Sequence, residues 1–237
     1  MTQAEGQQLI DKIVGQIFGF QNPLTMEQFM TKFTFDIKLP QPVIDSTDGT
    51  TTWAQSTNPT RFVTMTNART LEIGDASPKT DFMRPKRKLE SVADILTAWN
   101  EINYTTTERY KESLNVSESD HIERSENVFR SQDVHGSKNV IFSDGVFDSE
   151  YMAACQRTGR STYCIRVDDS AVCSNSFNVS WSINISNCFF MHDTADMQNS
   201  MFCTNMKGKQ YCVANMQYTE EEYKAILGVV AKWILTT

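Results

Sequence analysis

Three histidines, six cysteines and two close pairs of aspartates are the side chains of this 237-residue sequence with the types to do chemistry. His121, His135 and His192 could serve as general bases or metal ligands, and Asp168 with Asp169, or Asp193 with Asp196, could line a groove as the paired acids of a glycosidase do. The surrounding sequence supports neither use. It contains no G-x-S-x-G elbow, no phosphate-binding glycine loop, no H-E-x-x-H helix and no C-x-x-C pair. The cysteines at 155, 164, 173, 188, 203 and 212 are separated by 9, 9, 15, 15 and 9 residues, too far for the short ligand spacings of a zinc site. They read as small buried hydrophobes with reduced thiols, and the histidines and aspartates read as surface or turn residues. The expectation is no catalytic residue, no cofactor site and no metal site.

The spacing of the cysteines carries more information than their chemistry. Every third residue from Val116 to Met206 is Val, Ile, Met, Cys, Ser or Thr, 31 positions in a row, and all six cysteines share that register. A period of three suits neither a helix, which repeats about every 3.6 residues, nor a flat strand, which repeats about every two. Up to Met152 the unit is six residues: Val116, Ile122, Val128, Val134, Val140 and Val146 alternate with Ser119, Ser125, Ser131, Ser137, Ser143 and Ser149. Short strands separated by tight corners would turn one side chain inward every third residue, and coils that close after a multiple of six would stack Val on Val and Ser on Ser. Side chains this small fill only a narrow coil, which favours about twelve residues per turn over eighteen. Asn and Asp before the apolar positions suit corners with left-handed backbone. About eight coils at ~4.8 Å each make a rod roughly 40 Å long. From Val167 onward the large residues take the other six-residue phase, as Val179, Ile185, Met191 and Met197 show. An irregular coil with a protruding loop at Gln156–Arg160 would explain the change, and Arg157 and Arg160 on it are candidate partner contacts.

This pattern resembles the insect antifreeze type of short-coil β-solenoid over residues 113–212, which implies a right-handed, narrow coil. Ice binding does not carry over, because the outward Thr-x-Thr array that activity requires is missing. The segment from Lys209 to Tyr223, with Tyr211-Cys212, Asn215-Met216-Gln217-Tyr218 and Glu221-Glu222-Tyr223, is similar to the end of uncharacterised bacterial and phage proteins with period-three repeats.

The two ends lack the repeat and must position or close the rod. Leu9, Ile10, Ile13, Val14 and Ile17 define one helix face, and Thr25 to Gln28 has the form of a capping box that opens a second helix. Phe33, Phe35, Ile37 and Leu39 alternate like a strand that stops before Pro40 and Pro42. Asp45 to Thr60 reads as a long polar loop around an exposed Trp53, followed by a strand pair at Arg61–Thr66 and Arg69–Ile73. Val92, Ile95, Leu96, Trp99 and Ile102 mark a further helix, whose stripe either packs on the N-terminal helix or first coil, or stands exposed for docking. Thr219 with Glu222 opens a last helix along Tyr223, Ile226, Leu227, Val230, Trp233 and Ile234, which would cover the open end of the rod. The expected fold is thus mainly β: a narrow parallel β-solenoid with an α+β attachment region at 1–112, the solenoid at 113–212 and a C-terminal capping helix within 213–237.

A net charge of −7 argues against a general nucleic-acid binder. The basic run Arg84-Pro85-Lys86-Arg87-Lys88 reads as a solvated linker. No signal peptide and no apolar stretch of membrane-spanning length is apparent, so a soluble chain made in the host cytoplasm is expected. The functional expectation is a non-enzymatic structural or interaction protein, most simply a virion component that docks through its N-terminal region onto other virion proteins and itself. Candidate partner-binding residues are Trp99, Trp233, Arg157 and Arg160. Two alternatives are a DNA-mimicking topoisomerase-binding rod and a hexapeptide-repeat acyltransferase. For the first, residues 115–212 hold 12 acids against 8 bases, a small excess. For the second, the aliphatic-Gly coil start is missing.

Overall fold

Stacking of every twelfth residue generates the fold. In a computed structural model describing residues 1–57, 60–70 and 83–236, the centre of the chain is a parallel β-solenoid of about nine turns with about 12 residues per turn. Val128 lies beside Val140, Val140 beside Met152, Met152 beside Cys164 and Cys164 beside Ser176. Most turns hold two four-residue strands, such as Glu126–Phe129 and Gln132–His135, joined by two-residue corners.

The corners impose a regular backbone cost. Every third residue from Glu112 to Ala214 has positive φ, ranging from 43° at Asn199 to 71° at Gly145, and up to Asn205 it precedes the inward-facing residue. Asn and Gly tolerate this, but the series also holds Glu118, Arg124, Phe142, Tyr151 and Val172. Left-handed backbone costs an ordinary residue on the order of 1 kcal/mol, so the stacked interior must supply the compensation.

Serine hydroxyls supply part of it. Ser131 Oγ donates to the Phe129 carbonyl (2.8 Å) and accepts the N–H of Ser143, one coil on (3.1 Å). Ser143 repeats this with the Ile141 carbonyl (2.9 Å) and the Cys155 N–H (3.1 Å). Ser125, Ser137 and Ser149 do the same in the other corner column. Each hydroxyl therefore satisfies a corner amide that no strand partner reaches. Cysteine acts as a larger serine: the Cys155 and Cys188 thiols donate to the carbonyls of Ala153 (3.4 Å) and Ser186 (3.2 Å).

The expected irregular coil at Gln156–Arg160 does not occur. Gln156–Gly159 is an ordinary strand, with Asp144 beside Gln156, Val146 beside Thr158 and Phe147 beside Gly159. The phase of the large residues changes inside a constant coil. One inward column shrinks from Met152 through Cys164 to Ser176 while another grows through Ser143, Cys155, Val167 and Val179. Interior volume is exchanged between columns without an inserted residue, as close packing requires. Cys155, Cys164 and Cys173 sit at the crossing, where a side chain between Ser and Val in size fits.

A second apolar ladder runs along the outside. Phe129, Ile141, Ala153, Ile165, Phe177, Phe189 and Met201, one per coil, are all buried. Helix α1 (Gln3–Phe18) lies on them with Leu9, Ile10, Ile13, Val14 and Ile17, and helix α2 (Met26–Phe33) adds Phe29 and Phe33 to the same core. Gly6 allows the close approach, since a Cβ there would meet Met26 Sδ at 2.9 Å and Ile141 at 3.3 Å. Helix α1 follows the rod axis: the Met1 amino group donates to the Asn115 carbonyl, Lys12 reaches Tyr151, and the Phe18 ring stands 5.4 Å from Phe177 and 5.5 Å from Phe189. Arg166 ties the end of α2 down through Asp36 (2.7 and 2.8 Å) and the Phe33 carbonyl (2.7 Å).

The remaining N-terminal elements form two small sheets beside the start of the rod, linked to it by the Gln55 N–H donating to Asp120 (3.3 Å). The strand expected at Phe33–Leu39 is replaced by the end of α2 and a turn, because Phe33 is buried as a helical residue. Strand β1 (Gln41–Ile44) instead contains Pro42 and pairs antiparallel with β2 (Thr51–Ala54), which forms inside the expected loop. Trp53 of β2 is half-buried, with the Arg130 guanidinium 5.1 Å from its ring centre. Strand β3 (Arg61–Thr64) runs parallel to β4 (Tyr104–Thr107). The strand expected at Arg69–Ile73 is not formed over its first two residues, since Met65–Thr70 is helix α3; 71–73 lie outside the described residues. Asp45, fully buried, accepts hydrogen bonds from Thr47, Thr64 and Asn67. Burial pushes its carboxyl up, but those bonds outweigh it and hold the carboxyl at about 2.

At the far end, the C-terminal helix α5 (Glu220–Thr236) buries Tyr223, Ala231, Ile234 and Leu235 in the same cluster as Phe189 and Met201. The last coil's edge is covered by the chain itself. The Asn215 side chain accepts the Thr204 N–H (3.0 Å) and donates to the Thr204 carbonyl (3.0 Å), standing in for a further strand. Among the described residues no helix is long and apolar enough to cross a membrane.

Three outcomes follow. Ser131→Ala, which strands the Ser143 amide and removes a donor to Phe129, should lower the unfolding free energy by about 1–3 kcal/mol, with Ser131→Cys losing less; urea denaturation measures both. The six thiols are all buried, and burial pushes those of Cys155, Cys173 and Cys188 up to about 12. A thiol-specific reagent should therefore label none in the native protein at neutral pH and all six in denaturant. Because the Asp45 pKa is depressed on folding, its contribution is present above the ordinary carboxylate value and is lost as pH falls through about 2. Asp45→Asn should thus melt earlier than the parent protein at neutral pH, with the gap closing in acid.

Candidate binding face

The outward residues on the opposite side of the coil form a column of their own: Glu123, His135, Phe147, Gly159, Ala171, Ile183, Ala195 and Lys207, in register from coil to coil. No helix among the described residues covers this face. Its middle is apolar and its ends are charged. Phe147 and Ile183 stay 44% and 50% exposed, and Trp181 beside them is 60% exposed. With Arg157 and Ala171 these residues line a shallow, open groove.

Arg157 is fixed within that groove. Its guanidinium binds Asp169 through Nε (2.6 Å) and Asp168 through a terminal nitrogen (2.6 Å), while the Trp181 ring N–H donates to the other Asp169 oxygen (3.3 Å). Burial pushes the Asp168 carboxyl up against the pull of Arg157, whereas the Arg157 hydrogen bonds hold that of Asp169 down. The coil spacing explains the arrangement, since 157, 169 and 181 are successive members of one left-handed column. Arg160 lies three residues on in the same coil, exposed, with its backbone N–H on the Phe147 carbonyl (3.0 Å). Both arginines therefore belong to regular coils and not to a projecting loop.

The two candidate tryptophans lie elsewhere. Trp233 is on α5, half-exposed, with its ring 5.9 Å from Phe190. Trp99 is on helix α4 (Val92–Asn100), whose N-terminus is capped by a Ser91–Asp94 box. Among the described residues the stripe of that helix is exposed: Val92 is 70%, Ile95 51%, Leu96 49% and Trp99 51% exposed, and none of its residues is buried. Arg84 and Arg87 of the basic run are drawn to Glu101 at its C-terminal end.

The histidines are all outward, yet not all isolated. His192 Nδ1 lies 3.0 Å from Ser180 Oγ and its ring contacts Trp181. His121, Asp133 and His135 converge at the lower end of the bare face, a grouping the sequence analysis missed. Writing the chain in rows of twelve places 121 directly under 133, with 135 on the same strand, so the signal was present once the coil length was known.

These features define a class by fold, a twelve-residue-coil parallel β-solenoid with one flank sealed by its own helices and the other bare. The chain matches no protein-family model, and no curated protein matches it in sequence.

Exposed salt bridges stabilise weakly, so Arg157→Ala should cost no more than about 1 kcal/mol at neutral pH. The Asp169 carboxyl is held below its ordinary value, so its contribution is full above that value and is lost as pH falls through the depressed one, where the difference between the variant and the parent protein should vanish. Thermal melts across pH measure this.

Proposed function

We propose that this chain is a non-enzymatic interaction protein that docks through helix α4 and uses the solenoid as a rigid rod. The observation that carries this reading is the contrast among its helices. α1, α2 and α5 all bury apolar faces on the rod, whereas α4 turns Ile95, Leu96 and Trp99 to solvent. Isolated helices of this length are marginal in water, and an apolar stripe left exposed by the rest of the fold suits a partner's groove. The bare flank around Trp181 and Ile183 offers a second, flatter contact for neighbouring subunits or another copy of the chain.

The partners proposed are other virion proteins. The likeness of the Lys209–Tyr223 segment to uncharacterised bacterial and phage period-three repeat proteins supports that assignment, as does a rod whose last coil is covered by its own chain against uncontrolled strand addition. Mass spectrometry of particles purified from the host carrying this gene should find the intact chain at a fixed stoichiometry. Trp99→Glu combined with Leu96→Glu should abolish its incorporation while leaving the melting temperature of the isolated protein unchanged, because neither side chain is buried. Reproducible absence from particles would remove the virion assignment; incorporation of the double variant at parent levels would remove α4 as the docking element.

A further inference from the structure

His121 and Asp133 stand one above the other in successive coils, and His135 follows two residues later on the same strand. One ring nitrogen from each histidine and one Asp133 carboxylate oxygen lie within 4.8 Å of one another. His121 Nδ1 is in direct contact with Asp133 Oδ1. The two rings meet edge to face at 4.9 Å.

The set is held from behind. The second Asp133 oxygen accepts an N–H from the Gln55 side chain. The Gln55 carbonyl oxygen is in turn held by Arg109 (3.0 Å), and Arg109 grips the buried Asp120 with two hydrogen bonds (3.0 and 2.9 Å). The His135 ring lies flat on Phe147, with centroids 5.3 Å apart and planes 10° from parallel. Its Nδ1 faces the Glu123 carboxylate at 3.7 Å.

We propose that His121, Asp133 and His135 bind a divalent transition-metal ion of borderline softness, with zinc(II) as the type. Two imidazoles and one carboxylate suit such ions and not the oxygen-preferring magnesium or calcium. Carboxylate and amide partners behind the ligands are what orient metal-binding histidines and aspartates in known sites, and Glu123 and Gln55 take those places here. Three protein ligands leave a coordination position open at the surface for water or for a group from a docked partner. Two of the ligands come from adjacent coils and the third from the same strand as one of them, so the coil spacing itself fixes the geometry.

Isothermal titration of the full-length protein with zinc chloride, with melting curves and cobalt(II) absorption alongside, tests the site. The expected result is one ion per chain and a raised melting temperature. His121→Ala and His135→Ala should each weaken binding by more than about 100-fold, and Glu123→Gln and Gln55→Ala by about 10- to 100-fold, while His192→Ala leaves it unchanged. Circular dichroism of each variant separates loss of a ligand from loss of fold. A cobalt spectrum without thiolate charge transfer excludes the cysteines as ligands. No zinc binding by the parent protein would overturn the proposal and leave His121–Asp133 and His135–Glu123 as a polar surface cluster. So would affinity unchanged in both histidine variants, or a thiolate-dominated cobalt spectrum.

Discussion

A backbone amide at the corner of a twelve-residue coil has nothing to bond to except what the coil below offers. In this protein the partner is a serine hydroxyl, which takes that amide and returns its own proton to a carbonyl two residues back. The rest of the rod follows from this arrangement. It demands a small polar side chain at alternate inward positions, and it leaves the large residues to the other columns. It also stabilises left-handed corners that carry residues as ill-suited as Val172 and Phe142. The cysteines are part of the same system. A thiol at Cys155 or Cys164 keeps the carbonyl contact while occupying more volume, so it serves where the interior exchanges its large and small columns.

That logic was legible in the sequence because it acts on every third residue without exception. Coil length, parallel stacking, inward cysteines and serines, and the terminal helix could be read before any coordinate. The outer ladder from Phe129 to Met201 was not, because its repeat is twelve and only one of its neighbours in each coil shares its character. Once the six-residue reading was adopted, Phe129 looked like a free position. The loop at Gln156–Arg160 was an error of the same kind: a phase change in a pattern suggests an inserted residue, but volume can pass between columns at constant length. Phe33 to Leu39 alternated convincingly and is still not a strand, since the core of α1 and α2 claims Phe33 for a helix. As for the candidate residues, Trp99 was legible as part of an apolar helical stripe and Arg157 only as part of a supposed loop, while His121, Asp133 and His135 come together only when the chain is folded at twelve.

The two flanks of the rod divide its tasks. One is a continuous apolar ladder and is consumed internally by α1, α2 and α5. The other mixes a histidine–carboxylate cluster, a short apolar strip and an arginine clasped by two aspartates, and it keeps all of these accessible on a surface that cannot flex much. Groups on such a surface are held at spacings set by strand separation, about 4.8 Å from one coil to the next. Side-chain stacks like Tyr151 on Tyr163 and Phe190 on Phe202, at 4.4 and 4.5 Å, show how closely successive coils obey it.

Repeating structures are free, in principle, to gain or lose a unit, because each coil sees only its neighbours. Helix α1 removes that freedom here. Its sixteen residues span about 24 Å, the height of some five coils, and it is anchored at Asn115 by Met1, two residues ahead of it, and at Phe177 and Phe189 by Phe18, its last residue. A gene that lost twelve codons within that span would still encode a well-formed coil interior, but the helix would then overhang its anchors. The helix is a gauge as well as a cover, and lengthening or shortening that stretch of the rod would require a matching change at the other end of the chain.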